Sequence, residues 1–359
     1  MFNFISNSAN CAFLGSDIFR QSVYGHQHPL NIARVWPVID LLRYENALLD
    51  VHYHDVPIAS RDELSRYHDT GYVDALYQAQ IEQALPETLR DKYNIGKGAN
   101  PIFKEVYDRP ATAAKASMMG AKMLIEGTAD YVFNPSGGTH HGQKDKAFGF
   151  CFVNDPAIAL MTMRQLTDKK ILYLDIDAHH CDGVQDWLSH DENMRIISIH
   201  QKGSWPRTGA DDDRGKGNAR NYNLNEGSGD NHLLSLIKNN VMIEIENFNP
   251  DYIIMQAGAD GHKFDPQSRL DYSLQGYWQA IETILGLRLP TMILGGGGYN
   301  PYITAKAWSG IWCLLRNISP YQKSLNERSQ ELLKGLDWFH RLGRNPPESW
   351  FTHLYDQAE

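Results

Sequence analysis

Cysteine is scarce in this chain of 359 residues: Cys11, Cys151, Cys181 and Cys313 are the only four, and no two have Cys-x-x-Cys spacing. So few, unpatterned thiols suggest a reducing compartment. Long apolar runs are also missing. No stretch approaches membrane-spanning length, and none near the start joins a basic segment to an apolar core, so neither a spanning helix nor a leader is expected. Basic charge is in short supply, with 34 Lys and Arg against 43 Asp and Glu, and the net charge of −9 argues against bulk nucleic-acid binding. The chain lacks low-complexity segments, long charge runs and internal repeats as well, so nothing marks a domain boundary. Residues 1–359 are therefore expected to form a single cytoplasmic domain.

What is present is an alternation of short β-type runs with amphipathic stretches. Strands are expected at 130–133 (DYVF), 169–174 (KKILYL), 194–199 (MRIISI), 251–255 (DYIIM) and 290–294 (PTMIL). Helices are expected at 155–168, 230–248, 274–287 and 302–316. This order argues for an α/β fold, a parallel sheet with helices on both faces. The first third is richer in helix signals, HPLNIARVWPVIDLLR and ATAAKASMMGAKMLIEG, which are expected to pad one side of that sheet.

Polar clusters follow the expected strands. They are PSGGTHHG at 135–142, DIDAHHCD at 175–182, HQKGSW at 200–205, QAGADGH at 256–262 and GGGGYN at 295–300. All fall at carboxyl ends of parallel strands, where open α/β sheets build their sites. The richest packs three carboxylates and two imidazoles into eight residues with no Lys or Arg interleaved. Such a cluster needs a cation or a proton-transfer task.

Asp177 and His179, one residue apart, point the same way in an extended loop. Asp260 would complete a site of two carboxylates and one imidazole, open for water and substrate as catalytic zinc sites are. The plainer alternative has both aspartates capping helices and His179 simply buried. His140 and His141 can serve as acid–base groups if carboxylates orient them, and Asp175 and Asp182 are the natural partners. Tyr299, directly after four glycines, has little local packing and suits a hydrogen-bond donor to a developing oxyanion. The glycine run is no phosphate loop, since no Gly-Lys-Ser/Thr follows.

PSGGTHHGQKDKAFGFCFVND, LDIDAHHCDGV, QAGADGH and LGGGGYN, in this order, resemble the zinc-dependent histone deacetylase superfamily. More narrowly, they resemble its bacterial branch of acetoin-utilisation-type lysine deacetylases, close to the class I eukaryotic enzymes. The likeness runs from about Ser16 to Trp312. It implies the arginase–deacetylase fold with a central eight-stranded parallel sheet, an acyl-lysine protein or peptide as substrate, and no membrane or direct nucleic-acid partner.

The resemblance makes Asp177, His179 and Asp260 the ligands of one catalytic zinc ion. It makes His141, with Asp182, the general base and acid, and His140, with Asp175, an electrostatic contributor. Tyr299 matches the tyrosine that polarises the amide carbonyl. Gly149 and Phe150 match one wall of the acyl-lysine tunnel, with Trp205 opposite. Arg34 matches an arginine near an internal acetate channel, and Asp175 and Ser198 fall where a structural potassium ion (K+) is held. The chain departs from the pattern at Ala99, where a carboxylate often grips the substrate backbone. Asn100 stands beside it as a weaker substitute. Cys181 replaces a common glycine.

Three rival readings compete. A binuclear manganese ureohydrolase shares the fold but needs an Asp two residues beyond His179, where Cys181 stands. An acetylpolyamine amidohydrolase would use the same chemistry on a small substrate, but its usual long insertion is missing. A non-catalytic acyl-lysine reader would have no use for both histidines and Tyr299.

Overall fold

The computed structural model describes residues 9–21, 24 and 28–357. Among the described residues are eight strands: β1 (Cys11–Gly15), β2 (Tyr53–Asp55), β3 (Tyr131–Asn134), β4 (Ile171–Asp175), β5 (Met194–Gln201), β6 (Ala219–Leu224), β7 (Tyr252–Gln256) and β8 (Thr291–Leu294). They pair in parallel throughout, in the order β2-β1-β3-β8-β7-β4-β5-β6. The four central strands β3, β8, β7 and β4 are buried along their whole length, as expected of strands covered on both faces.

Alternation along each strand sends neighbouring side chains to opposite faces. Leu172, Leu174, Ile253, Met255 and Ile293 join one core, which the helices Val35–Tyr44, Leu274–Leu285 and Pro301–Leu315 cover. Ile171, Tyr173, Ile254, Met292 and Leu294 join the other, beneath the helices Asp108–Glu126, Asp155–Leu166 and Asp182–Leu188. No helix among the described residues is long and apolar enough to cross a membrane.

The expectation that the N-terminal helices pad one side is corrected. Val35–Tyr44 packs on the first face and Asp108–Glu126 on the second. The chain travels outward from β1 to β2, then back past β1 to β3. Right-handed crossovers that travel in opposite directions place their helices on opposite faces.

The stretch expected as one helix at 230–248 contains a wider turn at Ile237–Val241 between Asp230–Leu236 and Met242–Phe248. The helix from Asp155 ends at Leu166, where Thr167 turns extended. Strands β1, β2 and β6 carry no clear signal in the sequence.

Candidate metal centre and catalytic cavity

Beyond β4 the backbone bends through Asp177, Ala178 and His179, and its amides are claimed by carboxylates. Asp177 N donates to Asp175 Oδ1 (2.9 Å), Ala178 N to Asp260 Oδ1 (2.9 Å) and His179 N to Asp177 Oδ1 (3.0 Å). Gly297 N, in the glycine run after β8, donates to Asp177 Oδ2 (2.6 Å). A Cβ on Gly297 would lie 2.1 Å from Asp260 Oδ2, so only glycine allows this approach.

Asp177 Oδ1 and Asp260 Oδ2 are left pointing at His179 Nδ1, at 3.2 and 2.9 Å. The ligand atoms that Asp177, His179 and Asp260 offer lie within 4.8 Å of one another, and all three residues are buried. Burial opposes a charge on His179, but the two carboxylates overcome it and raise the imidazole pKa well above its ordinary value. Burial and the Asp177 charge together push Asp260 up. Buried carboxylates crowding one imidazole are stabilised by a shared divalent cation. Two carboxylate oxygens, from side chains held by backbone amides, and one imidazole nitrogen fit a catalytic zinc site with an open position.

His140 and His141 lie at the end of β3, on a turn belted by Asp155. That carboxylate accepts from Gly138 N (3.0 Å), Thr139 N (2.8 Å) and Ser117 Oγ (2.6 Å). Asn154 Nδ2 holds the carbonyls of His140 (3.2 Å) and Gly142 (2.8 Å). Each imidazole then meets its own carboxylate, His140 Nδ1 to Asp175 Oδ2 at 2.7 Å and His141 Nδ1 to Asp182 Oδ1 at 2.6 Å.

The two rings differ in charge. Burial opposes the charged form of His140, yet Asp175 and Asp177 outweigh it and lift the group to about 9. Burial, then the charges of His140 and His179, hold His141 well below its ordinary value. His141 is thus neutral, and its Nδ1–H bond to Asp182 leaves Nε2 with a lone pair.

Above these groups is a cavity of about 370 Å³, walled by Phe148, Gly149, Phe150, Trp205 and Tyr299, with His141 and His179 among its lining. Gly149 (φ +55°) and Phe150 (φ +68°) form a tight turn closed by paired hydrogen bonds between Phe148 and Cys151. A Cβ on Gly149 would fall 2.2 Å from Trp205 Cη2, so glycine is required there twice over. The Trp205 ring lies 4.5 Å from that of His141 and 4.9 Å from that of Phe148.

Tyr299 is better packed than its glycine neighbours suggest: it is buried, and its ring meets Phe150 at 6.0 Å. Its backbone N–H donates to Asp265 Oδ2 (2.6 Å). Burial, then Asp260, keeps the phenol protonated far above its ordinary range. The Arg34 guanidinium lies 6.0 Å from the Tyr299 ring and 5.0 Å from that of Trp308, and it donates to the Gly296 carbonyl.

Asn100 lines the cavity, but its amide is committed: Oδ1 accepts from Phe150 N (3.0 Å) and Nδ2 donates to Ala147 O (3.3 Å). It shapes the wall rather than standing in for a rim carboxylate. Ser198 sits beside Asp175 in the β4–β5 register, with Oγ 3.0 Å from His200 Nδ1.

Sequence patterns do not single out Asn154, Asp155 or Asp265 as parts of the site. The one available signal was the polar Asn154-Asp155 pair opening a helix, which reads as an ordinary N-cap.

The sequence matches the family profile described as Histone deacetylase domain over residues 28–315. Histone deacetylase 8 of Xenopus laevis is 34% identical over 266 residues, 72% of this chain and 81% of that protein. The acetoin utilization protein AcuC of Bacillus subtilis (strain 168) is 30% identical over 320 residues, 86% of this chain and 82% of that protein. Among solved structures, an HDAC homolog from Aquifex aeolicus superposes with a TM-score of 0.91 at 30% identity, covering 97% of this chain and 95% of that one. An HDAC homolog complexed with SAHA gives 0.90 at 31% identity, with the same coverage.

Proposed function

This chain belongs to the histone deacetylase family, and we propose that it hydrolyses the Nε-acetyl amide of lysine in proteins or peptides, using one zinc ion held by Asp177, His179 and Asp260. The observation that carries this reading is that His141, hydrogen-bonded to Asp182, and His179, facing Asp177 and Asp260, line one cavity. Bound there, zinc polarises the amide carbonyl and acidifies water. The protein's own groups do the rest.

Neutral His141, held by Asp182 in the tautomer that leaves Nε2 unprotonated, 2.9 Å from His140 Nε2, takes the proton of the attacking water and returns one to the lysine amine as it departs. Cationic His140, anchored on Asp175, adds positive charge beneath the developing oxyanion. The protonated Tyr299 phenol donates to that oxygen. Phe148, Phe150 and Trp205 exclude water from the lysine methylenes. We assign Arg34 to the acetate exit and Asp175 with Ser198 to a structural potassium ion. We also assign residues 1–359 to one deacetylase domain in the cytoplasm, a location supported by four thiols that are all free and buried.

Two observations weigh against the rivals. Among the described residues no carboxylate lines the cavity, a poor reception for the extra ammonium groups of an acetylpolyamine. Cys181, at the position a second manganese would need, is fully buried, and burial keeps its thiol protonated.

The test pairs turnover with zinc content, using an acetyl-lysine peptide and an acetylated polyamine as substrates. Chelation should abolish activity and zinc should restore it. His141→Ala should retain zinc and lose about 10²–10⁴-fold in kcat, and Tyr299→Phe about 10²–10³-fold. Full activity after exhaustive metal removal, or wild-type rates in His141→Ala, would overturn the assignment.

A further inference from the structure

His262, two residues beyond Asp260, is buried and takes no part in the chemistry above. Its Nδ1 accepts from Phe264 N (3.2 Å), so Nε2 carries the hydrogen and donates to Asp356 Oδ2 at 2.9 Å. Asp356 lies 94 residues further along the chain. The same oxygen accepts from Leu274 N (2.9 Å), which opens the helix Leu274–Leu285. Across from it, Asp356 Oδ1 accepts no hydrogen bond and faces Lys306 Nζ at 3.9 Å. Lys306 is fully buried on the helix Pro301–Leu315.

Burial opposes ionisation of Asp356, but His262 and Lys306 outweigh it and hold the carboxyl well below its ordinary range. Burying a carboxylate and an ammonium is a poor way to fasten a segment, since apolar residues of similar size do it as well or better. A charged group there is explained by what it orients.

What it orients is the turn that carries the Asp260 ligand. His262 N bonds back to Ala259 O (3.2 Å), and His262 O accepts from Asp265 N (2.8 Å). Asp265 in turn receives the backbone amide of Tyr299 (2.6 Å). The backbone of His262 therefore ties the residue before the metal ligand to Asp265, and through it to the backbone of Tyr299, while its ring anchors that turn on Asp356.

We propose that Asp356 is a positioning residue of the metal centre, acting through His262 to fix the turn 259–265 that sets Asp260 and Tyr299. This rests on the zinc reading above. Outer partners of metal ligands typically contribute 10–100-fold in affinity or activity, and one placed a step further out is expected at the lower end.

Asp356→Ala should raise the zinc dissociation constant about 10-fold in chelator competition at 25 °C and lower kcat by a similar factor. KM should change less than kcat, because neither Asp356 nor His262 lines the cavity. Asp356→Asn keeps an acceptor oxygen without the charge and should fall between wild type and Asp356→Ala. It also serves if the alanine variant does not fold. Leu354→Ala, a core truncation in the same segment, should lower the melting temperature while leaving zinc affinity at wild-type strength.

Wild-type zinc affinity and kcat in both Asp356 variants, with only the melting temperature reduced as in Leu354→Ala, would reduce the clamp to ordinary structure and sink the proposal. Failure of the wild type itself to bind zinc would be the different failure, that of the zinc reading.

Discussion

Acid should weaken this protein through a histidine outside the metal centre. His68 is buried, with Nδ1 3.1 Å from Lys144 O and Nε2 accepting from Asn154 N at 3.1 Å. Both contacts demand the neutral ring with hydrogen on Nδ1. A proton on Nε2 would face the Asn154 N–H with nothing to accept it. Burial holds the pKa down to about 4, against about 6.5 for the unfolded chain.

Between those values the unfolded chain binds a proton that the folded one refuses, so stability rises with pH. The contribution is complete above pH 6.5 and is lost progressively as pH falls through 4. At pH 5 the loss works out at about 2 kcal/mol, out of a maximum near about 3 kcal/mol. His200, held down to about 3 mainly by burial, adds to the background slope, so the informative quantity is a difference.

Gln at position 68 keeps an acceptor near Nε2 and an N–H donor but cannot titrate. Denaturant midpoints for wild type and His68→Gln at pH 7 and pH 5 should diverge, with wild type losing about 2 kcal/mol more. Parallel losses in the two proteins would refute the argument.

Two further perturbations address the cavity. Gly149→Ala should cost about 1–2 kcal/mol of stability for its left-handed backbone and drive Trp205 outward, raising KM with zinc content unchanged; steady-state kinetics beside metal analysis checks this. Ala99→Asp adds a charged acceptor at the rim, worth about 1.5–3 kcal/mol to a peptide backbone N–H. It should lower KM for acetyl-lysine peptides about 10-fold and leave acetyl-lysine lacking flanking residues unaffected, as paired kinetics would show.

Strands β3, β4, β5, β7 and β8 are legible in the sequence because each carries a run of apolar, mostly β-branched or aromatic residues ahead of a polar cluster. β6 is not, because ARNYNL is an outer strand with half its side chains only partly buried. β2, three residues long and polar, offers a periodicity no window can detect. The Asp177–His179 spacing and the His140-His141 pair stand out because their geometry is local. What brings Asp265 to Tyr299, or Asp356 to His262, is contact between segments far apart in the chain, and nothing in the sequence near either residue signals it. Tyr299 illustrates the limit from the other side: its glycine neighbours hide the packing that Phe150 supplies from across the cavity.

The strand order also constrains how the chain is made. β7 and β8 are synthesised last yet occupy the middle of the sheet, where β8 pairs with β3 and β7 with β4. While the polypeptide is being extended, β1–β3 and β4–β6 can form only two three-stranded halves, and β3 and β4 are left with unpaired edges. Exposed apolar edges of this kind invite pairing with other chains. The halves join when the segment through residue 294 arrives, and Asp260 and Tyr299 arrive on the loops of those closing strands. A ribosome stalled before β8 therefore holds neither a closed sheet nor a complete centre, since Tyr299 follows that strand.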